Sequence, residues 1–303
     1  MRRFGLVMSV AWIMALLWTM FTPVQGAYAQ EDKGFASPQY LAETQWLEDN
    51  LDTPGLRIVD LRPLNDYKVG HIRNAVHLEI GSLRTTVNGL PGMMVSPGAL
   101  EEALRAEGVG TDSLVVAYDN LGGLFAARFF MTLRRYGHNA VKVLDGGIRK
   151  WVAEDRQLTT ETPFVSPADF RAGFPTEELA DSEWILKNLN NPNVVLVDAR
   201  SAAEFTGREM RAKRGGHIPG AVNLNWIDNL TKDDTAQFRP APDLLDMYRE
   251  AGVTRDKIVV AYCQSGMRAS HTYFTLLLLG YPNVKIYDAS WLKWGNREDL
   301  PIE

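Results

Sequence analysis

The sequence predicts an α/β protein of two tandem domains, each a mainly parallel sheet covered by helices on both faces. Three observations predict it. Segments recur in the same order at an offset of about 140 residues, too long for a solenoid unit and right for a duplicated domain. Short continuous apolar runs alternate with amphipathic stretches, the pattern of strands buried on both faces. A polar segment containing Pro163 and Pro167 separates the copies.

The first residues stand apart. Arg2 and Arg3 precede an apolar run from Phe4 to about Val24, no acidic residue occurs before Glu31, and Ala27-Tyr28-Ala29 has a small-x-small pattern. Residues 1–29 are therefore expected to be a secretory signal peptide cleaved after Ala29, with export through the general pathway to a periplasm. The run is also long enough to span a bilayer, so an uncleaved anchor is the alternative. After cleavage, no stable membrane association is expected.

The first copy, residues 36–153, predicts strands over 56–61, 113–118 and 140–144 and a helix over 123–136. Residues 154–174 read as a linker. The second copy, residues 175–303, predicts strands over 194–198, 257–262 and 284–287 and helices over 242–251 and 267–279. The recurring pieces support this division. Ile58-Val59-Asp60-Leu61-Arg62 returns as Leu196-Val197-Asp198-Ala199-Arg200, and Gly70-His71-Ile72 as Gly216-His217-Ile218. Val115-Val116-Ala117-Tyr118 returns as Val259-Val260-Ala261-Tyr262, and Leu144-Asp145 as Tyr287-Asp288.

The composition is that of a globular chain, with 46% hydrophobic and 23% charged residues over 303 positions. A formal net charge of −5 lacks the basic excess of a general nucleic-acid binder. Attraction for an anionic substrate must then be local. The chain has one cysteine, Cys263, so no disulfide forms within it.

Ligands of open α/β sheets bind beyond the carboxyl ends of the strands, which directs attention to the segment after Tyr262. It reads Cys263-Gln264-Ser265-Gly266-Met267-Arg268 and leads into a helix. Backbone N–H groups of such a turn converge, and the helix dipole adds positive potential. A thiol there is expected to ionise more readily, as cysteines at helix N-termini fall from about 8.5 toward roughly 3.5–7.5. The same loop would hold the outer sulfur of a persulfide, with the Arg268 guanidinium close by. A buried cysteine that only fills space is the plain alternative.

The Asp198-x-Arg200 strand end, the segment Gly216-His217-Ile218-Pro219-Gly220-Ala221 and the strand-Cys-x4-Arg loop resemble the tandem-domain rhodaneses, which include thiosulfate and 3-mercaptopyruvate sulfurtransferases. The resemblance covers residues 36 to 300. It implies an inactive first copy packed against a catalytic second copy, and the sequence has Asp119 where the second copy has Cys263. It further implies that the Cys263 thiolate takes sulfur from a small-molecule donor and passes it as a persulfide to a thiol, cyanide or dithiol-protein acceptor. Residues 264–268 would stabilise the charge, without metal or organic cofactor.

Asp198, Arg200 and Glu204 are expected to form a supporting ion-pair cluster. His217 recurs as His71 in the copy without cysteine, which points to folding. His271 is about two helical turns from Cys263, too far for a general base, and Trp291 and Trp294 are candidates for cleft wall or core. The family's usual donor-binding arginine, six residues after the strand aspartate, is replaced by Glu204. Arg208 and Arg211, with Lys213 and Arg214 behind them, are the candidate substitutes. Thiosulfate is the preferred expected donor because the loop lacks the Cys-Gly-Ser-Gly pattern of the mercaptopyruvate type. Two alternatives remain: a non-catalytic binding or sulfur-relay module, and a cysteine-dependent phosphatase or arsenate reductase, whose loops show Cys-x5-Arg.

Overall fold

The computed structural model describes residues 33–303, and the expected leader and its cleavage point lie outside the described residues. In the first copy the chain runs through β1 (Leu41–Ala42), α1 (Thr44–Asn50), β2 (Leu56–Asp60), α2 (Leu64–Val69) and β3 (Ala75–His77). It continues through β4 (Arg84–Val87), β5 (Leu90–Met94), α3 (Pro97–Ala106), β6 (Leu114–Tyr118), α4 (Leu124–Arg135), β7 (Val141–Leu144) and α5 (Gly147–Ala153). The second copy comprises α6 (Ser182–Asn188), β8 (Val194–Asp198), α7 (Ala202–Phe205), β9 (Val222–Asn223), α8 (Ala241–Glu250), β10 (Ile258–Tyr262), α9 (Met267–Leu278), β11 (Val284–Ile286) and α10 (Ser290–Trp294).

Both main sheets are parallel. Their strand orders are β1-β7-β6-β2-β3 and β11-β10-β8-β9. Alternate residues of each central strand serve two cores, which is why these strands read as unbroken apolar runs. Val259 and Ala261 of β10 face a core shared with α3, α4, α8 and α9, whereas Val260 and Tyr262 pack with Ile185, Trp291 and Trp294. In β6, Val115 and Ala117 face the shared core, while Val116 and Tyr118 pack with Leu47 and Trp151.

The shared core joins the copies. Helices α4 and α9 pack together, with Phe130 and Phe274 edge to face at a centroid distance of 4.7 Å. Two reciprocal clasps flank them. Asp145 of the first copy accepts the Phe238 N–H at 2.9 Å, and Asp288 of the second accepts the Met94 N–H at 2.9 Å. Asp145 also pairs with Lys33, and Asp288 with Arg128.

The expected linker has little regular structure but is tied down. Thr159 pairs with His71, the Gly173 N–H donates to the Tyr136 carbonyl, and Phe170 is buried. Several short elements have no counterpart in the sequence reading, among them the antiparallel hairpin β4–β5. Its apolar residues are too few and irregular to show a period of two, and its place is set by contacts with the other copy.

Candidate active site

The Asp-x-Arg and Gly-His-Ile segments form the same construction twice. Asp198 accepts the Arg200 Nε–H at 2.9 Å, and Arg200 Nη2 donates to the Gly216 carbonyl at 2.8 Å. Asp60, Arg62 and Gly70 repeat it at 3.0 and 2.7 Å. His217 stacks on Phe205, and its Nδ1 bonds the Phe205 carbonyl. His71 stacks on Tyr67 in the same way. The same arrangement recurs in the copy without cysteine.

Cys263 follows β10 and is 1% exposed. Its loop is pinned to the start of α10. The Cys263 N–H donates to Ser290 Oγ at 3.1 Å, Ser290 Oγ donates to the Tyr287 carbonyl, and the Cys263 carbonyl accepts the Trp291 N–H at 3.0 Å. Ser290 has a φ of 49°, a strained value for a residue with a side chain. At Gly266, φ is 80°, and a Cβ there would overlap the Asp288 carboxylate. Only glycine suits both the left-handed turn and that approach.

The first copy shows what this loop does when a carboxylate replaces sulfur. Asp119 is fully buried, and its two oxygens accept the N–H groups of Leu121, Gly123, Phe125 and Ala126 at 2.7, 3.0, 2.7 and 2.9 Å. Burial raises its pKa, and these four donors oppose the rise. In the second copy the N–H groups of Gln264, Ser265, Gly266, Met267, Arg268 and Ala269 donate to no group among the described residues. One copy has a filled anion nest, and in the other the corresponding amides follow the thiol and have no acceptor among the described residues.

The charged side chains near the thiol are arranged differently from the sequence expectation. Glu204 does not join Asp198 and Arg200 through a direct bond. It binds Arg268 in bidentate fashion at 2.6 and 2.9 Å, approaches Arg211 at 3.7 Å and closes a capping box with Ser201. The Arg268 charge is therefore engaged by a carboxylate rather than free for an anion. Its N–H, however, is one of these amides without an acceptor. Of the candidate donor-binding residues, Arg208 is exposed and bonded to Thr206 Oγ1, while Arg211 pairs with Glu209. Arg214 caps the carbonyls of Trp294, Arg297 and Leu300, and the Lys213 side chain has no bonded partner among the described residues. The Arg211 carbonyl accepts the Gln264 side-chain amide at 2.9 Å, leaving Gln264 Oε1 buried without a donor.

His271 is buried, stacks on Phe238 and bonds the Gly122 carbonyl at 3.0 Å. Burial pushes its pKa down to about 4, so it is neutral and packs between the copies. Trp291 and Trp294 are core residues, with Trp291 against the Arg200 guanidinium at 4.6 Å.

Burial raises the Glu204 pKa, but its bonds to Arg268 outweigh that and hold it near about 2. Since the unfolded value is about 4.3, the pair's contribution is complete above that pH and is lost as pH falls toward 2. Glu204→Gln is expected to remove on the order of 2 kcal/mol of stability at neutral pH. The urea-unfolding free energies of variant and wild type should converge between pH 4.5 and pH 2, and a gap that persists at pH 2 would refute this assignment.

Sequence reasoning did not identify Arg84, Arg128, Asp288 or Ser290 as site residues. Asp288 was visible as a repeat position, matching Asp145. Arg84 and Arg128 reach the loop from the other copy, and no local pattern marks them.

Comparison with known proteins agrees with this architecture. The rhodanese-like domain family matches residues 43–154 and 181–297. A putative thiosulfate sulfurtransferase of Saccharopolyspora erythraea is 36% identical over 277 residues, covering 88% of this chain and 96% of the relative. The sulfur carrier protein TtuD of Thermus thermophilus is 34% identical, with 89% and 98% coverage. The 3-mercaptopyruvate sulfurtransferase of Escherichia coli is 31% identical, with 88% and 99% coverage. Among solved structures, the anaerobic ergothioneine biosynthesis enzyme of Chlorobium limicola superposes with a TM-score of 0.78 at 22% identity. That match covers 89% of this chain and 71% of the other, and it shows the shared fold. With both halves matched and relatives aligned along nearly their full length, the chain belongs to the rhodanese family and carries two rhodanese-like domains in tandem.

Proposed function

We propose that this protein is a sulfurtransferase that moves sulfane sulfur from a small anionic donor, thiosulfate by preference, to a thiol or cyanide acceptor through a persulfide on Cys263. The observation that carries the reading is the open nest of amides from Gln264 to Ala269, at the place where Asp119 fills its counterpart with negative charge. Sulfurtransferase relatives acting on thiosulfate or 3-mercaptopyruvate support the same class of reaction.

The Cys263 sulfur attacks the outer sulfur of thiosulfate. A new S–S bond forms as the donor's S–S bond breaks, and sulfite leaves with the bonding pair. The acceptor then attacks the outer sulfur of the persulfide, and Cys263 leaves as thiolate. In both steps negative charge sits on sulfur at the amide nest, whose fixed dipoles need no reorganisation. The Glu204–Arg268 pair holds the first turn of α9 in place. The arginine pair and apolar run at residues 2–24 support export as the setting.

The test is the intact mass of the protein after incubation with thiosulfate. A gain of one sulfur atom that cyanide removes as thiocyanate is expected. No gain would favour a non-catalytic binding module.

A further inference from the structure

The thiol's surroundings hold several cations, and nearly all are paired. Arg268 is bound by Glu204, Arg200 by Asp198, Arg211 by Glu209 and Arg128 by Asp288. A surface guanidinium such as Arg208 is exposed and screened. Arg84, in β4 of the first copy, differs from all of these. It is half-buried, its Nε, like that of Arg128, is buried without an acceptor, and, unlike the others, it has no carboxylate or carbonyl bonded to it among the described residues.

Its position follows from the clasp between the copies. The Met94 N–H bonds Asp288, which lies against Gly266 of the cysteine loop, and the Gly92 carbonyl faces Arg128 Nη2 at 3.4 Å. These contacts bring the β4–β5 hairpin against Asp288, which packs on the cysteine loop. Gly92 has a φ of 84°, and a Cβ there would overlap the Arg84 guanidinium, which packs against the Gly92 backbone. Burial and the nearby Arg128 lower the Arg84 pKa, while Asp288 and Cys263 raise it, which places Arg84 within electrostatic reach of the sulfur. It stays charged, as guanidinium does in proteins.

A desolvated cation without a counter-ion is costly unless a ligand supplies one. We propose that Arg84 binds the oxyanionic end of the sulfur donor, the sulfite group of thiosulfate, while the donor's outer sulfur meets Cys263. The inference rests on the sulfurtransferase reading above. It gives the copy without cysteine a direct part in the reaction and accounts for Glu204 standing where the family's donor-binding arginine usually lies. Arg84 exchanges no proton. It holds the group that departs with the electron pair as sulfite.

The experiment measures formation of the Cys263 persulfide against thiosulfate concentration, followed by transfer from the loaded protein to dithiothreitol, a neutral acceptor. Arg84→Met is expected to raise the half-saturating thiosulfate concentration roughly ten-fold or more, and Arg84→Lys to recover part of that. Transfer to dithiothreitol should change less than two-fold in both. An Arg84→Met half-saturation within two-fold of wild type overturns the proposal and leaves the sulfurtransferase reading intact. Absence of persulfide in the wild type removes that reading instead. Should Arg84→Met fail to fold, binding of thiosulfate by calorimetry to Cys263→Ser with and without Arg84→Lys decides. Equal affinities overturn the proposal, and a several-fold loss supports it.

Discussion

Cys263→Ser is expected to abolish persulfide formation and thiocyanate production while changing the unfolding free energy by no more than about 1 kcal/mol. The large effect on chemistry follows from the uniqueness of the sulfur, since the chain has no other cysteine and a hydroxyl forms no persulfide. The small effect on stability follows from the setting. Serine is smaller, and a buried hydroxyl is costly only when it lacks a partner. The following amides, from Gln264 to Ala269, have no acceptor among the described residues, so donors for the hydroxyl are close at hand in sequence. Single-turnover labelling with thiosulfate, paired with urea unfolding, measures both quantities. Thiocyanate production by the serine variant would place the transferred sulfur elsewhere, and a collapse in stability would make Cys263 a packing residue first.

Arg128→Met should damage the fold severely, costing about 3–5 kcal/mol. Arg128 is fully buried, and its Nη1 lies 2.5 Å from Asp288 Oδ1. Removing it leaves a nearly buried carboxylate whose remaining bond is the Met94 N–H. That carboxylate also presses on Gly266, so the cysteine loop and the contact between copies should loosen together. A loss this large approaches the total stability of many domains. Arg128→Met combined with Asp288→Leu should recover much of it, because replacing both charges by apolar groups removes the unpaired one. Equilibrium unfolding of the two variants checks this. A single-variant loss below 1 kcal/mol would mean that water reaches the pair and that the clasp is weak.

The legible part of the fold was the part with local periodicity. Residues 194–198 were read as a strand and are β8. The expected 257–262 and 267–279 are β10 and α9 to within a residue. These segments carry their structure in apolar spacing, because a strand buried on two faces has to be apolar throughout. The cysteine loop was legible for a related reason. A strand end, a glycine in a left-handed turn and a helix start are adjacent in sequence, and the nest is made by the backbone they shape. The partners of the charged side chains were not legible in the same way. Glu204 lies four residues past Arg200 on a short helix, yet it reaches Arg268, 64 positions away.

From the order of its residues alone, the chain determined a duplicated α/β architecture, a single cysteine and the strand–turn–helix loop that carries it, since each depends on contacts within a few positions or on repetition. Tertiary structure decided which cations carboxylates neutralise and which, like Arg84, have no bonded carboxylate among the described residues. Electrostatic energy depends on distance and burial rather than on spacing along the chain, and only packing of the first copy's hairpin against Asp288 brings Arg84 within electrostatic reach of Cys263.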